Sequence, residues 1–292
     1  SWYTGLQVDN FIGAITIDGM SANRNNGYGA FISDSPASVT IKNSTFNDTV
    51  SPSTSNGKGL YLYLSNASPV TLENVSAFRN EQNYGIHVIT KGAVTAKNIR
   101  AEGNRNAGMY IDNSGAGVSP VAVSNSVFSN NKLTNAEGLA IYSYGPITIS
   151  SVRAENNTGT GVHLDNCISS GGSCLGSGSV TINSPAAGGD AAANVFSNNT
   201  YQGLVVLSRG AISLFNFYAD ENDGGAGAYL YNLYSNSTAG ITVNANIPND
   251  IFGKMWVNSA SHNFQEGLLI QSHGAVSVSK VKAHANRLNN IE

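Results

Sequence analysis

One unit recurs ten times along the 292 residues of this chain, and that recurrence leaves very few folds open. One column of the repeat is glycine: Gly5, Gly29, Gly59, Gly85, Gly108, Gly138, Gly161, Gly203, Gly227 and Gly267. A second column, further along each unit, is asparagine in all units but one: Asn25, Asp48, Asn80, Asn104, Asn130, Asn157, Asn198, Asn222, Asn263 and Asn286. A period of roughly 23 to 30 residues, lengthened by inserts, marks a solenoid, in which each unit touches only its neighbours.

Each unit holds three strand-like pieces. Residues one and three past the column glycine are apolar, as in Met109 and Ile111 or Leu204 and Val206, which is the alternation of a half-buried strand. The second piece reads apolar–Thr–apolar, as at 15–17, 39–41, 70–72, 147–149, 180–182 and 241–243. The third carries a small residue three positions before the asparagine: Ala77 and Asn80, Ala101 and Asn104, Ala154 and Asn157, Ala219 and Asn222. Three short strands closed by turns predict a triangular coil. Stacked coils set each strand on its copy, giving three parallel sheets around one apolar core. Antiparallel blades, the competing repeat, are disfavoured because Asn-Gly and Asp-Gly hairpin signals are rare between the strands. At a bend inside such a stack an amide satisfies the backbone and bonds to the amide above and below, so the asparagine column is expected to form a buried ladder.

The totals exclude several partners. Charged residues are 11% and net charge is −3, so no basic patch is expected to meet nucleic acid. No apolar run approaches the ~18 residues of a membrane span. Both cysteines lie in one short insert, Cys167 to Cys174, on a glycine-rich tether that lets the sulfurs meet. A disulfide there implies an oxidising, extracytoplasmic setting, and two reduced thiols are the alternative. Extra length in the longer units falls at 184–189 and 246–251, expected as surface loops. The last residues, Asn290 to Glu292, match the segment that elsewhere precedes a column glycine, so the chain reads as one β-helical domain, 1–292, cut from a longer array.

The pattern Gly-Leu-x-Val-x-Ser-x-Gly-Ala-Ile-x-Leu-x-Asn at 203–216, followed by Ala219-x-x-Asn222 and by Gly227-Ala-Tyr-Leu-x-Asn232, resembles right-handed parallel β-helix repeats. It is most similar to those of very large secreted or surface proteins of the Chloroflexi type. The resemblance spans the whole chain and implies a right-handed coil. More distantly the fold is similar to that of pectin-degrading lyases and hydrolases, which is analogy only.

Residues two and four past each glycine are expected to face solvent. They include Phe31, Tyr61, Tyr63, His87, Tyr110, Tyr142, Tyr229 and Tyr231, rings that either stack on sugars or another protein, or ladder along the sheet and stiffen it. On the same face Asp112 and Asp165 lie two coils apart, roughly 10 Å, near the upper separation for an inverting glycosidase pair. His163 and Asp165, two residues apart, are a candidate acid–base pair. The calcium-and-cation grouping of a pectate lyase is missing. On the second sheet an outward threonine row (Thr16, Thr40, Thr71, Thr95 and onward) runs beside Asp18, Lys42, Glu73 and Lys97, whose alternating signs argue for cross-strand pairing and against an ice-binding plane.

The reading is therefore an all-β, right-handed parallel β-helix of about ten coils, acting as an extracellular structural and adhesive segment of a bacterial surface protein or filament. Its expected partners are copies of itself or neighbouring repeats end to end, and extracellular polysaccharide. No cofactor or metal is expected. The alternative is a polysaccharide-binding or polysaccharide-degrading β-helix. Asn43 and Asn236 stand in Asn-x-Ser/Thr sequons.

Overall fold

The computed structural model describes residues 3–34, 36–50, 57–115, 117–170, 173–185, 192–235, 237–246 and 257–287. The loop residues 186–189 and 247–251, the sequon Asn236 and the final residues 290–292 lie outside them.

Ten parallel strands stack into one sheet, in chain order and without crossing: Leu6–Val8, Ala30–Asp34, Leu60–Leu64, Ile86–Ile89, Met109–Asn113, Leu139–Ser143, Val162–Asp165, Leu204–Leu207, Ala228–Asn232 and Leu268–Ser272. Each begins one residue after a column glycine. The glycine is required by close approach: a Cβ at Gly59 would sit 2.6 Å from the carbonyl oxygen of Gly85, and one at Gly138 2.6 Å from that of Gly161. Only a residue without a side chain lets successive coils enter the strand at hydrogen-bonding distance.

The apolar–Thr–apolar pieces stack in the same way. Register runs Thr16↔Thr40↔Thr71↔Thr95↔Ala122↔Thr148↔Thr181↔Ser213↔Thr242↔Ser277. The charged column beside it pairs as its signs require, with Asp18 opposite Lys42, Glu73 opposite Lys97, and Lys42 Nζ 3.3 Å from Glu73.

The expected third sheet is not separate. The second and third pieces join into one 15-stranded sheet, and strands such as Val70–Phe78, Val121–Ser129 and Ile147–Glu155 run straight through the corner. One left-handed residue turns each of these strands: Asn74 (φ 56°), Asn125 (φ 49°) and Ser151 (φ 54°). A single αL residue changes the strand direction and leaves the flanking ladder intact. Asparagine tolerates that conformation, and its amide gives a second, exterior ladder. Asn98 donates to Asn74 (2.9 Å), Asn74 to Asn43 (2.9 Å) and Asn43 to Asp18 (2.8 Å).

The buried ladder runs Thr49–Asn80–Asn104–Asn131–Asn157–Asn199–Asn222–Asn263–Asn286. In each step the backbone N–H donates to the side-chain oxygen of the next coil, at 2.9–3.2 Å. The side-chain amide of Asn104 also reaches the Ala77 carbonyl (3.0 Å), and that of Asn157 the Phe128 carbonyl (3.0 Å). Three expected members are corrected. Asp48, Asn130 and Asn198 are each one residue short of the ladder and supply its left-handed bend, with φ of 55°, 59° and 57°. Asn25 lies at the ladder position, but its amide nitrogen is buried without a partner.

One apolar core runs the length of the stack. At the position three before the ladder residue, Phe46, Phe128 and Phe196 are interspersed with Ala77, Ala101, Ala154 and Ala219, all fully buried. Large and small side chains thus interdigitate between coils.

Candidate functional site

The outer face of the first sheet holds the aromatic residues. Ring centroids run Phe31 to Tyr61 (5.2 Å), Tyr61 to His87 (4.9 Å), His87 to Tyr110 (5.0 Å), Tyr110 to Tyr142 (5.3 Å) and Tyr142 to His163 (5.5 Å). Ala140 leaves a gap in the second-place column between Tyr110 and His163, and the stack sidesteps it through Tyr142. Val205 then separates this group from Tyr229 and Tyr231, whose rings lie 6.0 Å apart.

This face is not open to solvent as expected. In three coils the residue preceding the column glycine folds back over it. Tyr28 covers Phe31 (5.2 Å), Tyr84 covers His87 (4.7 Å) and Tyr110 (5.2 Å), and the Lys58 ammonium lies 4.4 Å from the Tyr61 ring centre. Phe31, Tyr61, His87, Tyr110 and Tyr142 are half-buried, Lys58 is 6% exposed, and Ala140 and Val205 are buried. Tyr63, at 50% exposure, is the most open of the expected binding residues.

Burial sets the electrostatics of this band. It drives the His87 imidazole down to about 3, with the Lys58 charge adding to the effect, and neither ring nitrogen has a hydrogen-bond partner. It lowers Lys58 to about 8 and raises Tyr61 to about 12, the latter helped by Tyr28 and Tyr63. Tyr142 is raised to about 12 by burial and then by the Glu137 charge, and Glu137 is itself raised by burial. Lys58, Tyr28, Tyr84 and Glu137 were not expected at this site. Their shared position, one before the column glycine, is the signal that marks them.

The candidate catalytic residues are placed in register but not assembled. Asp112 pairs with Tyr142 and Tyr142 with Asp165, so the carboxylates are two coils apart in one column with a tyrosine between them. Each carboxylate is tied into a local turn. Asp112 accepts from the Ser114 backbone (3.0 Å) and hydroxyl (2.5 Å). Asp165 accepts from the Cys167 and Ile168 backbones (2.7 and 2.9 Å) and so anchors the insert. That insert is closed by the Cys167–Cys174 disulfide and by a short antiparallel pairing of Ser169–Ser170 with Ser173–Cys174. His163 is lowered by burial, with Asp165 opposing. Its Nε2 is buried without a partner, so no hydrogen-bonded His163–Asp165 pair forms through that nitrogen.

The turn after Met109–Asn113 builds one wall of a groove of about 310 Å³. Tyr63, Ile89 and Asp112, on three successive coils, form its floor, and Lys91, Ser114 and Gly115 close one side. The groove therefore unites an expected binding ring with an expected catalytic carboxylate. No group of three or more His, Cys, Asp or Glu side chains among the described residues is arranged to hold a metal ion. Nor is any helix among them long and apolar enough to cross a membrane.

Comparison with curated proteins and with solved structures finds no match. The family model described as the right handed beta helix region matches residues 59–246, more than half of the chain. With the parallel register and the ladder above, this places the protein in the right-handed β-helix family.

Proposed function

We propose that the chain is an extracellular structural and adhesive segment, a stiff rod belonging to a bacterial surface protein or filament. The observation that carries this reading is the unbroken stack: ten coils held in register by two sheets, with an amide ladder running from Thr49 to Asn286 and stability built from neighbour contacts. A disulfide suits an oxidising compartment. Analytical ultracentrifugation across a concentration series tests self-association, and cell or glycan attachment without turnover tests the adhesive role. A monomer that binds neither cells nor glycans at any concentration would defeat the reading.

A polysaccharide-binding or polysaccharide-cleaving role is the second reading, and the groove favours it: the exposed Tyr63 ring beside Asp112 and Lys91 has the make-up of a sugar subsite. A glycan array read together with a reducing-end assay separates the two. Cleavage lost in Asp112→Asn or Asp165→Ala would favour the enzyme, and binding lost in Tyr63→Ala without cleavage would favour the adhesin.

A further inference from the structure

A different surface, at the corner that carries the buried ladder, gathers cations that composition alone does not reveal. Arg79, Arg100, Arg105 and Lys132 come from three successive coils and surround Gly103. Gly103 fills the left-handed corner position (φ 68°) that Arg79 fills one coil earlier and Asn130 one coil later. With no side chain there, the wall is notched. Two concavities, each of about 490 Å³, share Arg79, Gly103 and Lys132.

The acids nearby do not neutralise the notch evenly. Asp48 holds Arg79 through two hydrogen bonds (2.7 and 2.9 Å), and Glu102 holds Arg100 (2.8–2.9 Å). Glu81 also lines the notch. Among the described residues, Arg105 donates to the neutral Gln82 side chain (3.2 Å) and neither Arg105 nor Lys132 has an ion pair. Arg105 and Lys132 are stacked. The Arg105 backbone donates to Asn80 and the Lys132 backbone to Asn104, one coil on. Their backbones lie one strand spacing apart, about 4.8 Å, and an anion bound beside both side chains offsets the repulsion between like charges so stacked.

We infer that this notch is a binding site for the sulfate or carboxylate groups of a linear anionic glycan running along the rod axis. The cations repeat at the coil spacing, which suits a polymer carrying one anionic group per short repeat. Phe78, with the Arg100 guanidinium 5.7 Å from its ring, offers a face for a sugar, and Gln82 and Asn130 offer amides for hydroxyls. A bare phosphate chain needs only the cations. The site is independent of the Tyr63 groove.

The test uses the whole chain with heparin as the sulfated probe, polygalacturonate as the carboxylated one, and uncharged dextran and inorganic polyphosphate as controls, by titration calorimetry from 50 to 300 mM salt. Heparin or polygalacturonate is expected to bind and dextran not to. Arg105→Gln with Lys132→Gln is expected to weaken binding about tenfold and to lower the slope of log affinity against log salt by about two. The matched pair Lys97→Gln with Lys282→Gln is expected to leave both unchanged. All four side chains are exposed, so circular dichroism should show unaltered folding. Equal losses in the two pairs, polyphosphate binding tighter than either glycan, or no glycan binding at 50 mM salt would each overturn the assignment.

Discussion

At the scale of single residues, the ladder amides do the most and are the most exposed to a one-position error. Asn104 accepts from the backbone and side-chain nitrogens of Asn80 (3.1 and 2.8 Å) while its own amide satisfies Ala77. Asn131 holds the same place one coil later. We predict that Asn131→Ala destabilises the fold by about 1–3 kcal/mol for each stranded buried group. Asn130→Gly, at a left-handed position that glycine adopts freely, should change stability by less than about 0.5 kcal/mol. Urea melts of the two variants check the assignment, and equal losses would contradict it. Where a unit has one asparagine, as at Asn80, Asn104, Asn222 and Asn263, the sequence identifies the ladder member directly. Where it has a doublet, Asn130-Asn131 or Asn198-Asn199, both residues suit a bend, and only the direction of the side chain decides between them. Asp48-Thr49 misleads in the same way, because the charged member looks like the better substitute for asparagine.

At the scale of the sheet, the apolar alternation marked the inward faces of both sheets, since burial against the core is a local period. The outer face of the first sheet was harder to read. Its cover comes from Tyr28, Lys58 and Tyr84, which precede the column glycine and fold back only because the backbones approach so closely there. The consequence is measurable in acid. The folded state holds His87 at about 3, against 6.5 when unfolded, so protons bind the unfolded chain first. Stability should therefore be unaffected above pH 6.5 and fall as pH drops from 6.5 toward 3, by at most about 1.4 kcal/mol per pH unit from this group. His163 acts in the same direction, and Glu137, raised by burial, acts against it. His87→Phe keeps the ring stack and loses no hydrogen bond, so it should shrink the difference in melting temperature between pH 7 and pH 4 without lowering stability at pH 7. A drop at pH 7, or an unchanged acid response, would refute this account.

For the whole molecule, neighbour-only contacts make the coil the natural unit of change. Residues 138–160 are one complete coil, and their deletion joins Glu137 to Gly161, restoring the sequence of a normal entry into the sheet. The shortened chain should fold cooperatively and lose about 4.8 Å of length by small-angle scattering. A deletion of half that size, which puts the glycine column out of register, should abolish the folded state. The number of coils and their order were readable from spacing alone. The merging of the second and third sheets was not, because one αL residue at a corner turns a strand without ending it, and nothing in the composition of the Asn74 or Ser151 segments separates a turned strand from two strands.

The interior ladder also has a sense. From Thr49 to Asn286 every backbone donor in it faces the following coil and every side-chain acceptor the preceding one. The rod is therefore polar like an arrow. A coil duplicated or transplanted along it therefore continues the same chain of bonds, because every coil hands its donor to the next in one direction.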